Sequence, residues 1–177
     1  MHQLTTSIII NATPDEVWLA LVDFPGWASW NPFLRDMEGV ALKGERVRVT
    51  VNPDYETLFE RMRDIDPDNM MGDGVVLNKS SSFKPLITAY EPATLLRWKQ
   101  RHWLTGLYQQ SFRLEAAGES GTLFTNVVEM SGFLVNMGWE AAIRPMYSGG
   151  MQLMNEGLKR RVEEPEAFNE QLFELRR

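Results

Sequence analysis

The apolar positions of this chain change their spacing several times, and the changes mark its elements. Residues 3–10 end in the β-branched run Ile8-Ile9-Ile10 and read as a strand. Thr13-Pro14-Asp15-Glu16 is a helix start: Thr13 serves as N-cap, Pro14 sits at the first helical position, and Glu16 completes a capping box. Val17, Trp18 and Leu21 then share one helical face, which Pro25 and Gly26 end. A second short helix is expected over residues 27–30, before Pro32. Strands follow at 34–41 and 45–52 around the turn Lys43-Gly44-Glu45. Two more hairpins are expected, 83–91 with 94–103 and 107–117 with 121–131. Near the end, Tyr147, Met151, Met154, Leu158 and Val162 recur at helical spacing and form one apolar stripe. Gly149, Gly150 and Gly157 interrupt that helix and weaken it by about 1 kcal/mol each relative to alanine. They either leave space beneath it or let another backbone approach closely.

Two stretches stand outside this pattern. Residues 53–82 form a long insertion where a turn would suffice, and Tyr55, Leu58, Phe59, Met62 and Ile65 predict a helix over about 54–65. The tail 165–177 follows Pro165 and carries Phe168, Leu172 and Phe173, which are expected to dock on the body. Residues 1–164 are read as a single domain.

The segment Trp27-Ala28-Ser29-Trp30-Asn31-Pro32-Phe33 is an aromatic connection, whereas connections are normally polar. Its rings must be buried, against a core or at the mouth of a cavity. We read Trp27, Trp30 and Phe33 as part of the wall of a cavity for an apolar small molecule. Ten methionines fit a pocket that adapts its shape, or plain core filling.

Charge and composition remove several functions. A net charge of −6 with scattered Lys and Arg disfavours nucleic acid, whose binding depends on neutralising phosphates. No cysteine is present, so thiolate metal sites, disulfides and a cysteine nucleophile are excluded. No apolar run approaches the ~20 residues that span a bilayer, and no signal-peptide pattern opens the chain. A soluble cytoplasmic protein is the expectation.

Parity along the strands picks the candidate interior. Phe124, Asn126, Val128 and Met130 share one face of the last strand; Tyr108, Gln110, Phe112 and Leu114 share one face of its partner. Gln110 and Asn126 are then polar groups in an apolar interior, and each needs a partner: a ligand, water or a neighbour. Trp98, with Leu96 and Gln100 at its parity, joins the same interior, and Tyr147, Met151 and Met154 face it from the helix. Like Trp103 of opposite parity, Trp98 is more often core than ligand platform.

Catalytic signals are weak. His102 is the only internal histidine; it suits a general base, but a surface strand position is the plainer reading. Glu129 is the other candidate acid or base. Asp64-Ile65-Asp66-Pro67-Asp68 spaces carboxylates like a calcium loop, but Asn69 and Val75 stand where glycine and glutamate are needed, so no metal is expected. Arg113 has outward parity and is not expected to hold a ligand. No cofactor motif is present.

Taken together, five stretches in order resemble the START-like (SRPBCC, Bet v 1-like) superfamily, which includes polyketide cyclases and dehydratases. They are Ile10–Trp18, Phe24–Phe33, Ala89–Trp98, Gly121-Thr122 with Val128–Gly132, and Met154–Lys159. The resemblance implies an α+β helix-grip fold: a seven-stranded antiparallel sheet wrapped around the long C-terminal helix, with two short helices after the first strand. It also implies a cavity between sheet and helix. Members bind lipids, polyketides or isoprenoids; some are cyclases or dehydratases, and others are co-chaperone modules, so fold does not fix function. The 53–82 insertion departs from the pattern. It is read as a lid over the cavity or as a homodimer contact.

Overall fold

A computed structural model describes residues 1–51, 82–103 and 106–165. The insertion helix expected at 54–65, the acidic turn at 64–68, the homodimer contact assigned to 53–82 and the tail lie outside the described residues.

Strand β1 (His2–Ile10) leads into helix α1 (Pro14–Val22). Thr13 Oγ1 accepts from the Glu16 amide, and the Glu16 carboxylate accepts from the Thr13 amide at 2.8 Å, so the capping box is complete. The Thr13 amide and hydroxyl, both donating to that carboxylate, hold the exposed Glu16 carboxyl below its ordinary pKa. A 3₁₀ turn (Phe24–Gly26) and helix α2 (Trp27–Trp30) follow. Then come β2 (Leu34–Glu38), β3 (Arg48–Val51), β4 (Ser82–Phe83), β5 (Leu86–Glu91), β6 (Leu95–His102), β7 (Gly106–Ala117) and β8 (Gly121–Ser131). The chain ends in a helical stretch: α3 (Phe133–Gly138), a π turn (Trp139–Ile143) and α4 (Arg144–Glu163). Pro145 stands in the first turn of α4, and a proline cannot donate to a preceding turn, which accounts for the widened π geometry just before it.

The fold is helix-grip, but its strands divide into two sheets. Five are ordered β1-β8-β7-β6-β5 and three are ordered β2-β3-β4, all antiparallel neighbours. The expected count of seven becomes eight among the described residues because the strand read at 83–91 is cut at Lys84-Pro85. Pro85 has no amide proton for a ladder, and its carbonyl accepts from Val47 instead. Likewise β2 stops at Glu38, before Gly39 at φ +126°.

Helix α4 lies across the inner face of the large sheet. Asn155 Nδ2 donates to Thr6 Oγ1 at 3.0 Å, and Lys159 Nζ donates to the Ile9 carbonyl at 2.7 Å. Glu163 accepts from the Asn11 amide and from Lys159 Nζ. Burial works to raise the Glu163 pKa, but these donors outweigh it and hold the carboxyl below its usual value.

Candidate functional site

The aromatic connection is where α4 is seated. Trp27 is fully buried, with rings of Phe24, Trp30, Trp98 and Phe112 at centroid distances of 5.2–6.1 Å. Its indole N–H donates to the Leu21 carbonyl at 2.9 Å, which ties the connection to the end of α1. Asn31 Oδ1 accepts from the amides of Phe33 and Leu34, both at 3.0 Å, and this turn sets Phe33 against α4. The helix glycines answer that surface. A Cβ on Gly150 would stand 2.6 Å from two carbons of the Phe33 ring, and one on Gly157 would collide with the Trp30 carbonyl oxygen. These two glycines therefore permit close packing and leave no space beneath the helix.

The inner face of the large sheet is a series of rows running across β6, β7 and β8. Leu96, Phe112 and Asn126 form one row; Trp98, Gln110 and Val128 form the next; Gln100, Tyr108 and Met130 form the third. The first two rows are fully buried under α4 with Met151 and Met154. The third row is not covered in the same way. A cavity of about 290 Å³ opens there. Its sheet wall is Gln100, Leu107, Tyr108 and Met130. Leu134, Val135, Ile143 and Tyr147 face them from the helical stretch. Phe83 of β4 closes one side, and His102 and Gly106 stand where β6 passes to β7. Tyr147 links the two regions: its ring lies 5.4 Å from Phe33 in the core and 6.0 Å from Tyr108 at the cavity.

The structure thus separates the residues expected to act together. Met130 and Tyr147 border the cavity. Trp27, Trp30, Phe33, Trp98, Gln110, Phe112, Asn126, Val128, Met151 and Met154 do not; all are buried, Val128 and Met151 in a cluster with Met130, Val135 and Trp139, and Trp27, Trp30, Phe33, Trp98, Phe112 and Met154 in the main core. The reason is volume: tryptophan and phenylalanine rings fill the middle of the grip, and this cavity lies at its end. Trp103, expected in the core, is 87% exposed, because it lies past His102, the last paired residue of β6. Val135 and Ile143 are cavity residues that periodicity did not reveal, since they lie on α3 and the π turn, where the spacing is irregular. Tyr108 was signalled only by its parity with Gln110.

One chain of hydrogen bonds runs from Tyr108, a cavity residue, into the core. Tyr108 Oη donates to Gln110 Oε1 at 2.5 Å, and Gln110 Nε2 donates to Asn126 Oδ1 at 2.9 Å. Asn126 Nδ2 then points at Met154 Sδ, 3.7 Å away. The two buried amides are therefore partnered within the protein. Burial, and next the neighbouring Tyr147, push the Tyr108 phenol well above its ordinary pKa of 10.0, against a smaller opposing pull from Trp98. An unfolded chain releases this proton first as pH rises. The stabilisation is accordingly complete below pH 10.0 and is lost above it. Alkaline unfolding curves are expected to show wild type losing more stability above pH 10.0 than Tyr108→Phe does.

The acid–base candidates part company. Glu129 sits on the opposite face from Val128 and Met130 and accepts from Gln109 Nε2 at 2.5 Å; strand alternation turns it away from the cavity. His102 borders the cavity but is itself exposed. Arg97 donates to Ser111 Oγ on the outer face, and Arg113 is exposed. Among the described residues no group of His, Asp and Glu is arranged to hold a metal ion.

A curved antiparallel sheet gripping a long helix, with a cavity at its open end, defines a START-like domain. The chain belongs to the polyketide cyclase/dehydrase and lipid transport family, whose model matches residues 1–163. No curated protein matches it. Among solved structures it is similar to TTHA0849 from Thermus thermophilus, at 15% identity and TM-score 0.64, covering 93% of this chain and 99% of that one. A START superfamily protein from Mycobacterium smegmatis is 14% identical with TM-score 0.63, over 93% of this chain and 99% of that one. The Zhui aromatase/cyclase from Streptomyces sp. R1128 is 14% identical with TM-score 0.61, over 93% and 98%. At such identities the likeness is one of fold. Among the described residues, no helix is long and apolar enough to cross a membrane.

Proposed function

We propose that this chain binds a compact apolar molecule in the cavity between the end of the large sheet and residues 133–163. The observation that carries the reading is the lining: apolar and aromatic walls with a few polar groups, chiefly Gln100, His102, Tyr108 and Tyr147. Each 100 Å² of apolar ligand surface removed from water would contribute about 2.5 kcal/mol. The volume of about 290 Å³ favours a ligand of one or two rings, since a cavity of about 150 Å³ accommodates benzene. Met130 and Tyr147 would touch the ligand; the other core residues singled out from the sequence would support it from behind. Polyketide cyclase or dehydratase chemistry in the same cavity is the alternative, and the family description and the rim position of His102 support it. The interaction-module reading depended on apolar patches at 53–82 or the tail, outside the described residues.

Titration with 1-methylnaphthalene, followed by NMR, tests the binding reading. Saturable binding to wild type is expected, weakened at least about tenfold by Ile143→Trp, which fills the cavity. The far-ultraviolet circular dichroism of the variant should be unchanged. No saturable binding to wild type, or equal binding to a folded Ile143→Trp, overturns it.

A further inference from the structure

Resting on that reading, we infer that Tyr108 selects ligands that present a hydrogen-bond donor, such as a phenol or alcohol hydroxyl, over ligands that present only an acceptor. The argument begins at the far end of the polar chain. A thioether sulfur can accept a hydrogen bond but never donate one. Met154 Sδ therefore takes the NH₂ side of Asn126, and Asn126 Oδ1 is turned to Gln110. That oxygen needs a donor, so Gln110 presents its NH₂ group to it and its own oxygen to Tyr108. Gln110 Oε1 accepts only, which commits the single Tyr108 proton inward.

The opposite arrangement is unfavourable at the end of the line. Reversing all three groups would set Asn126 Oδ1 against the sulfur, acceptor against acceptor, inside a fully buried site. Tyr108 is a lining residue of the cavity, and with its proton committed to Gln110 it has lone pairs to offer a ligand and no proton to give. The raised pKa keeps the phenol neutral, so it presents a dipole to the cavity and no charge. No lysine or arginine stands among the described lining residues.

The test compares 1-naphthol, which donates and accepts, with 1-methoxynaphthalene, which only accepts, at neutral pH. Wild type is expected to bind 1-naphthol about tenfold more tightly. Tyr108→Phe should bring the two affinities together, mainly by weakening 1-naphthol. Gln110→Met frees the Tyr108 proton for the cavity, so 1-methoxynaphthalene should gain on 1-naphthol. If both probes bind wild type equally, or if Tyr108→Phe keeps the preference, the inference is overturned while the cavity reading stands. If neither probe binds wild type, the cavity reading itself is overturned. Circular dichroism checks that Gln110→Met folds; where it does not, Tyr108→Phe alone decides.

Discussion

Replacing Trp27 with alanine is expected to cost the domain about 3–5 kcal/mol, the range for deleting a large aromatic ring from a packed core. Trp27 touches four other aromatic side chains, from the 3₁₀ turn, α2, β6 and β7. Its indole also supplies the donor for the Leu21 carbonyl, which alanine would leave without that partner. Both losses fall at the point where the short helices join the sheet, so the surroundings cannot collapse without moving α1 or α4. Urea unfolding should show the drop as a lower midpoint with a similar slope. Trp103→Ala is the control. That ring is 87% exposed, and its removal should change stability by no more than about 0.5 kcal/mol. Equal costs for the two variants would mean that the aromatic connection is not the keystone described above.

Gly157→Ala is expected to destabilise by about 2–3 kcal/mol, against the usual helix trend. In an exposed helix the change would help by about 1 kcal/mol. Here the added methyl meets the Trp30 carbonyl oxygen, with the carbonyl carbon at 3.2 Å and Pro32 Cδ at 3.5 Å. The obstacles are a backbone carbonyl and a ring closed onto the backbone, so rotation of a side chain offers no relief, and overpacking of this kind outweighs propensity. Gly138→Ala gives the contrast within the same helical stretch. Its Cβ would come no closer than 3.7 Å to Ile143, an ordinary contact, and its melting temperature should stay at or near that of wild type. A Gly157→Ala protein that melts as high as wild type would show that α4 does not rest on the connection at this point.

Much of this architecture was legible in the residues. The capping box at Thr13 and Glu16, the short helix at Trp27–Trp30 and the α4 stripe rest on local rules, and local rules survive folding. Strand alternation also held: Gln110 and Asn126 face inward and Arg113 outward. What parity could not supply was depth. It tells which face a side chain occupies but not whether a ring from another element fills the space opposite, and Trp27 fills it beneath Trp98 and Phe112. The cavity therefore stands one row further along the sheet than Gln110. The same limit applied to the glycines of α4. Composition permitted either a void or a close approach, and only the position of Trp30 and Phe33 distinguishes them. The break at Pro85 was readable in principle, because proline within a strand run marks an interruption.

The order β1-β8-β7-β6-β5 has a consequence for how the protein is made. Among the described strands β1 pairs with β8, far along the chain, His2 opposite Met130 and Ile10 opposite Thr122. While the ribosome is still extending the chain, β1 has no partner, and its Ile8-Ile9-Ile10 run must wait for more than a hundred further residues. Even then α4, the element the sheet encloses, has yet to emerge. Such long-range pairing slows folding and exposes sticky edges meanwhile. Until β8 is made, the edge of β1 stays open to stray pairing.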